Sequence, residues 1–293
     1  MDTPVALVTG ANSGIGKATA RGLVQRGYHV VLWCRSDASA RATADTLRRE
    51  EHTDAVSEVS ADLTDFAALR TAADEVRERF DRLDVLVNNA GVLKENRATN
   101  AEGVEETFAV NYLAPFLLSH LLLPLMLRTA RAHGEARIVN VGSDAHRGAL
   151  LFDAEDMRTG DAGVTAYMQS KLALVLFTNE LARRLKPTGV TVNCVHPGVV
   201  ATNIWRGPGI LSWLVRRIKW FLNSPETGAE GPLYVATSSD VEGVTGAYFD
   251  ETERTTPSVA AFDEKTAAAL WQRSMELVDL DPDEVVYTLP DAE

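Results

Sequence analysis

The sequence predicts a doubly wound α/β fold, with a parallel sheet of about seven strands and helices on both of its faces. Runs such as VALVT and VLVNN are apolar throughout rather than alternating, as strands covered on both faces require. These runs alternate with helix-length amphipathic stretches, and repeated strand–helix–strand alternation is typical of this class.

Each predicted element follows from its local composition. The strand candidates are short and mostly rich in β-branched residues, and they span residues 5–9, 29–34, 55–60, 84–88, 137–142, 190–195 and 247–249. The helix candidates lie between or after them, at residues 14–27, 38–52, 65–80, 102–131, 164–186 and 264–279. No long linker or low-complexity stretch interrupts this order, so residues 1–293 are predicted to form a single domain.

The composition limits the partners and the compartment. With a formal net charge of −12, the chain is not expected to bind nucleic acid, because phosphate binding needs a basic surface. Cys34 and Cys194 lie in apolar strand-like runs, which indicates a reducing compartment and no disulfide. The amino terminus lacks a signal-peptide pattern, and the interrupted apolar run 116–127 is too short to span a bilayer. We therefore expect a cytoplasmic protein.

A glycine-rich loop, TGANSGIG, follows the first predicted strand and opens the first predicted helix. Gly10, Gly14 and Gly16 allow a tight turn and a close approach of the backbone to a ligand. The helix amino terminus adds unpaired N–H groups and the positive end of the helix dipole. The loop is therefore predicted to hold the diphosphate of a dinucleotide.

Further motifs follow in a fixed order: SADLTD, NNAG, VNYLAPF, Ser143 with Tyr167-Met-Gln-Ser-Lys171, and Pro197-Gly198. Together with TGANSGIG, they resemble the classical short-chain dehydrogenases/reductases from residue 3 to about residue 250. The resemblance implies a Rossmann-type fold, a nicotinamide dinucleotide cofactor and no metal site. The cofactor residues it implies, beside Tyr167 and Lys171, are Gly10, Asn12, Ser13, Gly14, Ile15, Gly16, Asp62, Leu63, Asn89, Ala90, Gly91, Pro197, Gly198, Val200 and Thr202.

The candidate catalytic residues are Asn111, Ser143, Tyr167 and Lys171. Ser143 lies just past the fifth strand, at the edge where open α/β sheets bind ligands, and should orient a carbonyl oxygen. Tyr167 and Lys171 are four residues apart, so they share one helix face. We expect a lysine ammonium and the cationic nicotinamide to favour the phenolate and lower the pKa of the tyrosine, which then acts as general acid or base. The resemblance assigns Asn111 to holding a water in a proton relay.

The end of the second strand predicts NADP(H) as the cofactor. No acidic residue stands at Cys34 to accept from a ribose hydroxyl, and Arg35 follows with a guanidinium suited to a 2′-phosphate. Asp37 is interpreted as the cap of the next helix.

Several segments are similar to the retinol-dehydrogenase-like branch, among them CRS, SDAH and SPETGAEGPLYVATSSDVEGVTGAYF. This similarity implies NADP(H)-dependent interconversion of an apolar aldehyde or ketone and its alcohol. The chain shows no amino-terminal anchor, which puts a retinoid substrate in doubt, and Gly142 stands where the branch usually has a serine.

Residues 203–224 are apolar with interspersed basic side chains. Three interpretations remain open: a substrate lid, a helix that lies on a membrane surface, and a plain packing helix. The candidate substrate residues are Ile204, Trp205, Trp213 and Leu214.

Two other functions compete with net redox catalysis: a lyase or epimerase on the same fold, and a cofactor-sensing regulatory protein without turnover. The complete set of Asn111, Ser143, Tyr167 and Lys171 argues against a sensor. The sequence leaves the oligomeric state open.

Overall fold

The computed structural model describes residues 3–149, 163–199, 224–281, 285 and 287. Within these ranges, one sheet contains strands β1 to β8 in the order β3-β2-β1-β4-β5-β6-β7-β8. Their bounds are Val5–Thr9, His29–Cys34, Val56–Ser60, Val85–Asn88, Ala136–Val141, Val190–His196, Tyr248–Asp250 and Glu253–Thr255. All neighbouring pairs are parallel except β7 and β8. The predicted fold class is confirmed, with an antiparallel edge strand added.

Helices pack against both faces of this sheet. In chain order, α1 to α8 span Gly14–Gln25, Asp37–Glu50, Phe66–Arg79, Glu106–Phe108, Ala114–His133, Val164–Arg184, Pro225–Thr237 and Glu264–Leu277. One core cluster joins one face of the sheet to α3, α5, α6 and α8, and a second joins the other face to α1, α2 and α7. Adjacent strand residues such as Leu7 and Val8 belong to different clusters, because successive side chains point to opposite faces.

Helix α7 has no counterpart among the predicted helices. It contains two glycines and an internal Pro232, which are poor helix formers. Tertiary contacts require some of these residues: a Cβ on Gly231 would lie 2.7 Å from the carbonyl oxygen of Glu251. Ser224 caps the helix by accepting a hydrogen bond from the Thr227 amide at 3.1 Å.

The apolar stretch from Glu106 to His133 is long and apolar enough to cross a membrane, with a mean hydropathy of 1.6 in its most apolar window. However, 89% of that window is buried inside the protein. This stretch is therefore part of the protein core, although its length and composition alone would allow it to cross a membrane.

The strand order reverses between β1 and β4: β2 and β3 are added on one side of β1, and β4 lies on its other side. In open α/β sheets, a crevice forms at the carboxyl ends of the strands where the order reverses. The loops after β1, β2, β3, β4, β5 and β6 carry most of the predicted site residues, so the topology brings them to one edge.

Candidate active site

The loop after β1 has the backbone that the glycine pattern predicts. Gly10 and Gly14 have positive φ values of 67° and 54°, a region that side chains disfavour. A Cβ on Gly16 would lie 2.3 Å from the Asn89 side-chain nitrogen and 2.4 Å from the Gly10 carbonyl oxygen. This position therefore excludes any side chain and lets α1 begin against the loop.

The NNAG segment is tied to this loop through Thr9, a residue that sequence reasoning missed. The Thr9 hydroxyl accepts hydrogen bonds from the amides of Asn89 and Ala90, both at 3.0 Å. The Asn89 side chain donates to the Thr9 carbonyl at 2.8 Å. The loops after β1 and β4 thus form one rigid unit at the crevice.

The amino terminus of α1 fits a diphosphate. Its capping residue Ser13 makes no side-chain cap, so the first amides of the helix have no side-chain partner. Asn12 is exposed and Ile15 is buried in the first turn. Unpaired amides, the positive end of the helix dipole and glycines that keep the surface open suit an anionic ligand.

The end of β2 presents Arg35 to solvent. Its guanidinium makes no hydrogen bond or ion pair with any other residue that the structure describes. The expected capping role of Asp37 is wrong: Ser36 occupies the cap position, and Asp37 is the first residue of α2. The Asp37 carboxylate instead accepts a hydrogen bond from the Ser60 hydroxyl on β3, so a strand contact sets its position.

Asp62 and Leu63 follow β3 at the same edge. One Asp62 carboxylate oxygen, Oδ1, accepts hydrogen bonds from the amide and hydroxyl of Thr64, at 3.0 and 2.9 Å. This turn orients the Asp62 carboxylate. Leu63 is partly buried against the core.

Ser143 lies two residues beyond β5 and begins a 3₁₀ turn, Asp144–Gly148. Its Oγ accepts from the Ala145 amide at 3.2 Å, which leaves the hydroxyl proton free to be donated. Packing explains why the preceding residue, Gly142, has no side chain: a Cβ there would lie 2.6 Å from the Cys194 sulfur.

Cys34 and Cys194 are both buried, and neither forms a disulfide, as expected.

Tyr167 and Lys171 occupy the first turns of α6, with the Lys171 Nζ 5.7 Å from the centre of the Tyr167 ring. The Nζ donates to the Val141 carbonyl at 2.8 Å. Burial of the ammonium lowers the pKa of Lys171 to about 8.

The protein environment by itself raises the pKa of Tyr167, whereas the expected lowering also included the charge of the nicotinamide. The Tyr167 side chain as a whole is half-buried, but burial of the hydroxyl end raises the pKa, and a side-chain hydrogen bond with Ser143 only partly opposes this. Desolvation of the phenolate therefore exceeds the effects that favour it. A tyrosine in this state keeps its proton at neutral pH.

Asn111 lies in a π-helical segment, Ala109–Leu113, between α4 and α5. Such segments recur at functional sites. Its side chain pairs with the amide and carbonyl of Val92 at 2.8 and 3.0 Å and donates to the Ser170 hydroxyl at 3.0 Å. Ser170 in turn donates to the Tyr167 carbonyl at 2.7 Å. Ser170 was missed, although its place inside Tyr-x-x-Ser-Lys was a usable signal.

Pro197 and Gly198 follow β6 at the same edge, and Gly198 has a φ of 75°. The other predicted residues of this region lie outside the described residues: Val200, Thr202, Ile204, Trp205, Trp213 and Leu214.

The fold and these residues together define a dinucleotide-binding oxidoreductase, and comparison with known proteins specifies its family. Residues 4–208 match the family model of the short chain dehydrogenases. The chain is 40% identical to retinol dehydrogenase 13 of Homo sapiens over 283 residues, which cover 94% of this chain and 84% of that protein. It is 39% identical over 292 residues to retinol dehydrogenase 14 of Homo sapiens, with coverages of 94% and 86%.

Solved structures agree with this assignment. An uncharacterized protein from Mycobacterium paratuberculosis superposes with a TM-score of 0.73 and 30% identity, covering 95% of this chain and 96% of that one. The RhlG/NADP complex of Pseudomonas aeruginosa gives a TM-score of 0.67 and 28% identity, with coverages of 84% and 94%. The chain belongs to the short-chain dehydrogenase family and is retinol-dehydrogenase-like. It is thus an oxidoreductase that uses a nicotinamide cofactor and a small-molecule substrate.

Proposed function

We propose that the chain catalyses the NADP(H)-dependent interconversion of an apolar aldehyde or ketone and its alcohol, with Tyr167 as the general acid or base. The observation that carries this proposal is the grouping of Ser143, Tyr167 and Lys171. The Ser143 side chain is close enough to the Tyr167 phenol to lower its pKa, and the Lys171 Nζ lies 5.7 Å from the tyrosine ring.

Proton transfer is assigned to Tyr167. When bound, the nicotinamide cofactor supplies or accepts the hydride. The raised pKa keeps the Tyr167 phenol protonated at neutral pH, so it serves as the acid when a carbonyl is reduced. Ser143 accepts from the Ala145 amide and directs its own proton toward the substrate oxygen.

Lys171 and Asn111 support the tyrosine. The buried ammonium holds a positive charge beside the ring and carries donors for the ribose of the cofactor. Asn111 reaches the backbone of Tyr167 through Ser170, which fixes the first turns of α6. It is also the residue assigned to the proton relay.

The choice of NADP(H) rests on Arg35. An exposed guanidinium without a partner among the described residues, at the end of β2, can bind a 2′-phosphate in a bidentate manner. No carboxylate stands at the preceding position, Cys34, to favour a free ribose hydroxyl.

The apolar substrate is inferred from the composition of residues 203–224 and from the similarity to retinol dehydrogenases 13 and 14. In this proposal Ile204, Trp205, Trp213 and Leu214 supply an apolar wall that excludes water from the reacting atoms. We propose a cytoplasmic location from the sequence alone.

The direct test is turnover of a panel of short- and long-chain aldehydes and ketones, followed by nicotinamide absorbance with NADPH and with NADH. We expect consumption of NADPH and formation of alcohol in equal amounts, with faster turnover of the long-chain compounds. Tyr167→Phe is the matched control. Bound NADPH without any turnover would contradict the proposal and favour a sensor.

A further inference from the structure

His146 lies three residues after Ser143, inside the 3₁₀ turn Asp144–Gly148, and its side chain is fully buried. Its Nδ1 lies 2.8 Å from the Ser143 carbonyl oxygen. The amide of Ser258 donates to its Nε2 at 3.0 Å, across 112 positions of the chain. The imidazole therefore connects the serine turn to the segment that follows β8.

These two contacts determine the protonation of the ring. A backbone amide only donates, so Nε2 must be the acceptor and carry no proton. The ring proton is then on Nδ1, where it donates to the Ser143 carbonyl. Only the neutral imidazole in this tautomer satisfies both bonds, because a cation would carry donors at both nitrogens.

The same turn is held to the β7–β8 hairpin and the segment after it by other contacts. Arg147 donates to the Thr256 carbonyl at 2.9 Å and to the Asp144 carboxylate at 3.1 Å. The Tyr248 hydroxyl donates to Asp144 at 3.2 Å, and its ring lies 4.9 Å from the His146 ring. Among these contacts, only that of His146 reaches the Ser143 backbone itself.

We propose that His146 is a positioning residue for Ser143: it fixes the serine carbonyl and the following turn, and so aims the catalytic hydroxyl. The Ala145 amide that orients the Ser143 Oγ belongs to this turn. Residues 256–258, far along the chain, thereby set the geometry of the reaction centre. This inference rests on the proposed function, since it assigns the reaction to Ser143 and Tyr167.

Protonation of His146 would break the contact with Ser258. The charged and titratable groups that face it are Asp144 and Arg147 on its own turn, His196 on β6 and Tyr248 on β7. Burial holds the pKa of His146 below its ordinary value of about 6.5, so the neutral ring persists at neutral pH. The hydrogen bond from the Ser258 amide to His146 should therefore be lost only as the pH falls below that ordinary value.

Two substitutions of His146 each remove one of the two hydrogen bonds of its side chain. In His146→Asn, the side-chain amide can replace the Nδ1 donor to Ser143 but does not reach the Ser258 amide. In His146→Gln, the amide oxygen can replace the Nε2 acceptor, but the side-chain donor to Ser143 is lost, and only the backbone amide of residue 146 still donates to the Ser143 carbonyl, at 3.1 Å. Exposed His133, at the end of α5, provides the control His133→Gln.

The experiment measures kcat, KM and NADPH affinity for the four proteins between pH 5 and 8, together with their melting temperatures. We expect His146→Gln to lower kcat about ten- to a hundredfold, because the serine is misplaced, with KM and NADPH affinity within about twofold of the parent. His146→Asn should lower kcat at neutral pH to about the level that the parent reaches once His146 is protonated, because both keep the donor to Ser143 and lack only the Ser258 contact. Both variants of His146 should lack the histidine contribution to the fall of kcat at acidic pH, whereas His133→Gln should retain it.

Combination with Ser143→Ala distinguishes positioning from general damage. If His146 acts through the serine hydroxyl, His146→Gln should cost nothing further in kcat in the Ser143→Ala background. An equal loss in both backgrounds, or wild-type kcat in a folded His146→Gln, would overturn the inference. If His146→Gln does not fold, an unchanged acid limb in His146→Asn would overturn it instead. Absence of turnover by the parent protein would refute the proposed function and not this inference alone.

Discussion

The two halves of the crevice are built by different means. On one side, the loops after β1 and β4 are shaped by glycine backbone and by Thr9, and they offer main-chain amides and a helix end. On the other side, Ser143, Tyr167 and Lys171 offer side-chain groups, and burial shifts the pKa values of Tyr167 and Lys171. We therefore expect the first half to be disrupted by substitutions that add atoms, and the second half by substitutions that remove functional groups.

The largest effect is expected from Tyr167→Phe, which removes only a hydroxyl. Since a general acid contributes about two to four orders of magnitude, kcat should fall by that factor. NADPH affinity, measured by calorimetry, should stay nearly unchanged because the ring remains. If Tyr167→Phe kept more than half of the parent activity, Tyr167 would not be the general acid. The proposed difference between the two halves would then be wrong.

Lys171→Met should lower kcat/KM about a hundredfold, because charge-assisted bonds to the cofactor and support for the tyrosine are lost together. Cofactor affinity should fall too, unlike in Tyr167→Phe. An unchanged affinity would contradict a dual role.

The same substitution should stabilise the fold at neutral pH, because it removes a buried charge. The pKa of Lys171 is about 8 when folded and about 10.4 when unfolded, so between these values the unfolded chain binds more protons. The parent protein should therefore gain stability as the pH rises through this window, and the difference from Lys171→Met should shrink. Melting curves at pH 7 and pH 10 test this sign.

Arg35→Ala should lower NADPH affinity about ten- to a hundredfold and leave NADH affinity nearly unchanged, since one charge-assisted contact to the 2′-phosphate is worth about 1.5–3 kcal/mol. The matched control is Arg49→Ala, an exposed arginine at the far end of α2. Equal weakening of both cofactors would mean that Arg35 is structural.

The smallest effect is expected from a substitution in the glycine-rich loop after β1. Gly16→Ala adds one methyl group where a Cβ meets the Asn89 side chain and the Gly10 carbonyl, and overpacking of this kind costs about 1–3 kcal/mol of stability. We expect a lower melting temperature and weaker binding of both cofactors. Ser13→Ala in the same loop removes a side chain that caps nothing and should leave stability within about 0.5 kcal/mol. Similar behaviour of the two variants would contradict the steric account.

Much of this protein could be predicted from local sequence patterns. The seven strands found by their apolar composition are all present, with bounds that differ by one residue or less. The glycine loop was also predictable, because a positive φ and the absence of a Cβ are demands that a local motif expresses. The position of Ser143 just after the fifth strand predicts that it lies at the ligand-binding edge, and the four-residue spacing of Tyr167 and Lys171 predicts that they share one helix face.

Tertiary structure alone decided the rest. Helix α7 depends on close packing against the sheet and α1, which overrides its weak helix propensity. The raised pKa of Tyr167 depends on burial, which no motif encodes. The bonds of His146 to Ser258 and of Asn111 to Ser170 join residues 112 and 59 positions apart. Sequence patterns report local backbone and periodic burial, whereas desolvation and long-range hydrogen bonds exist only once the chain has folded.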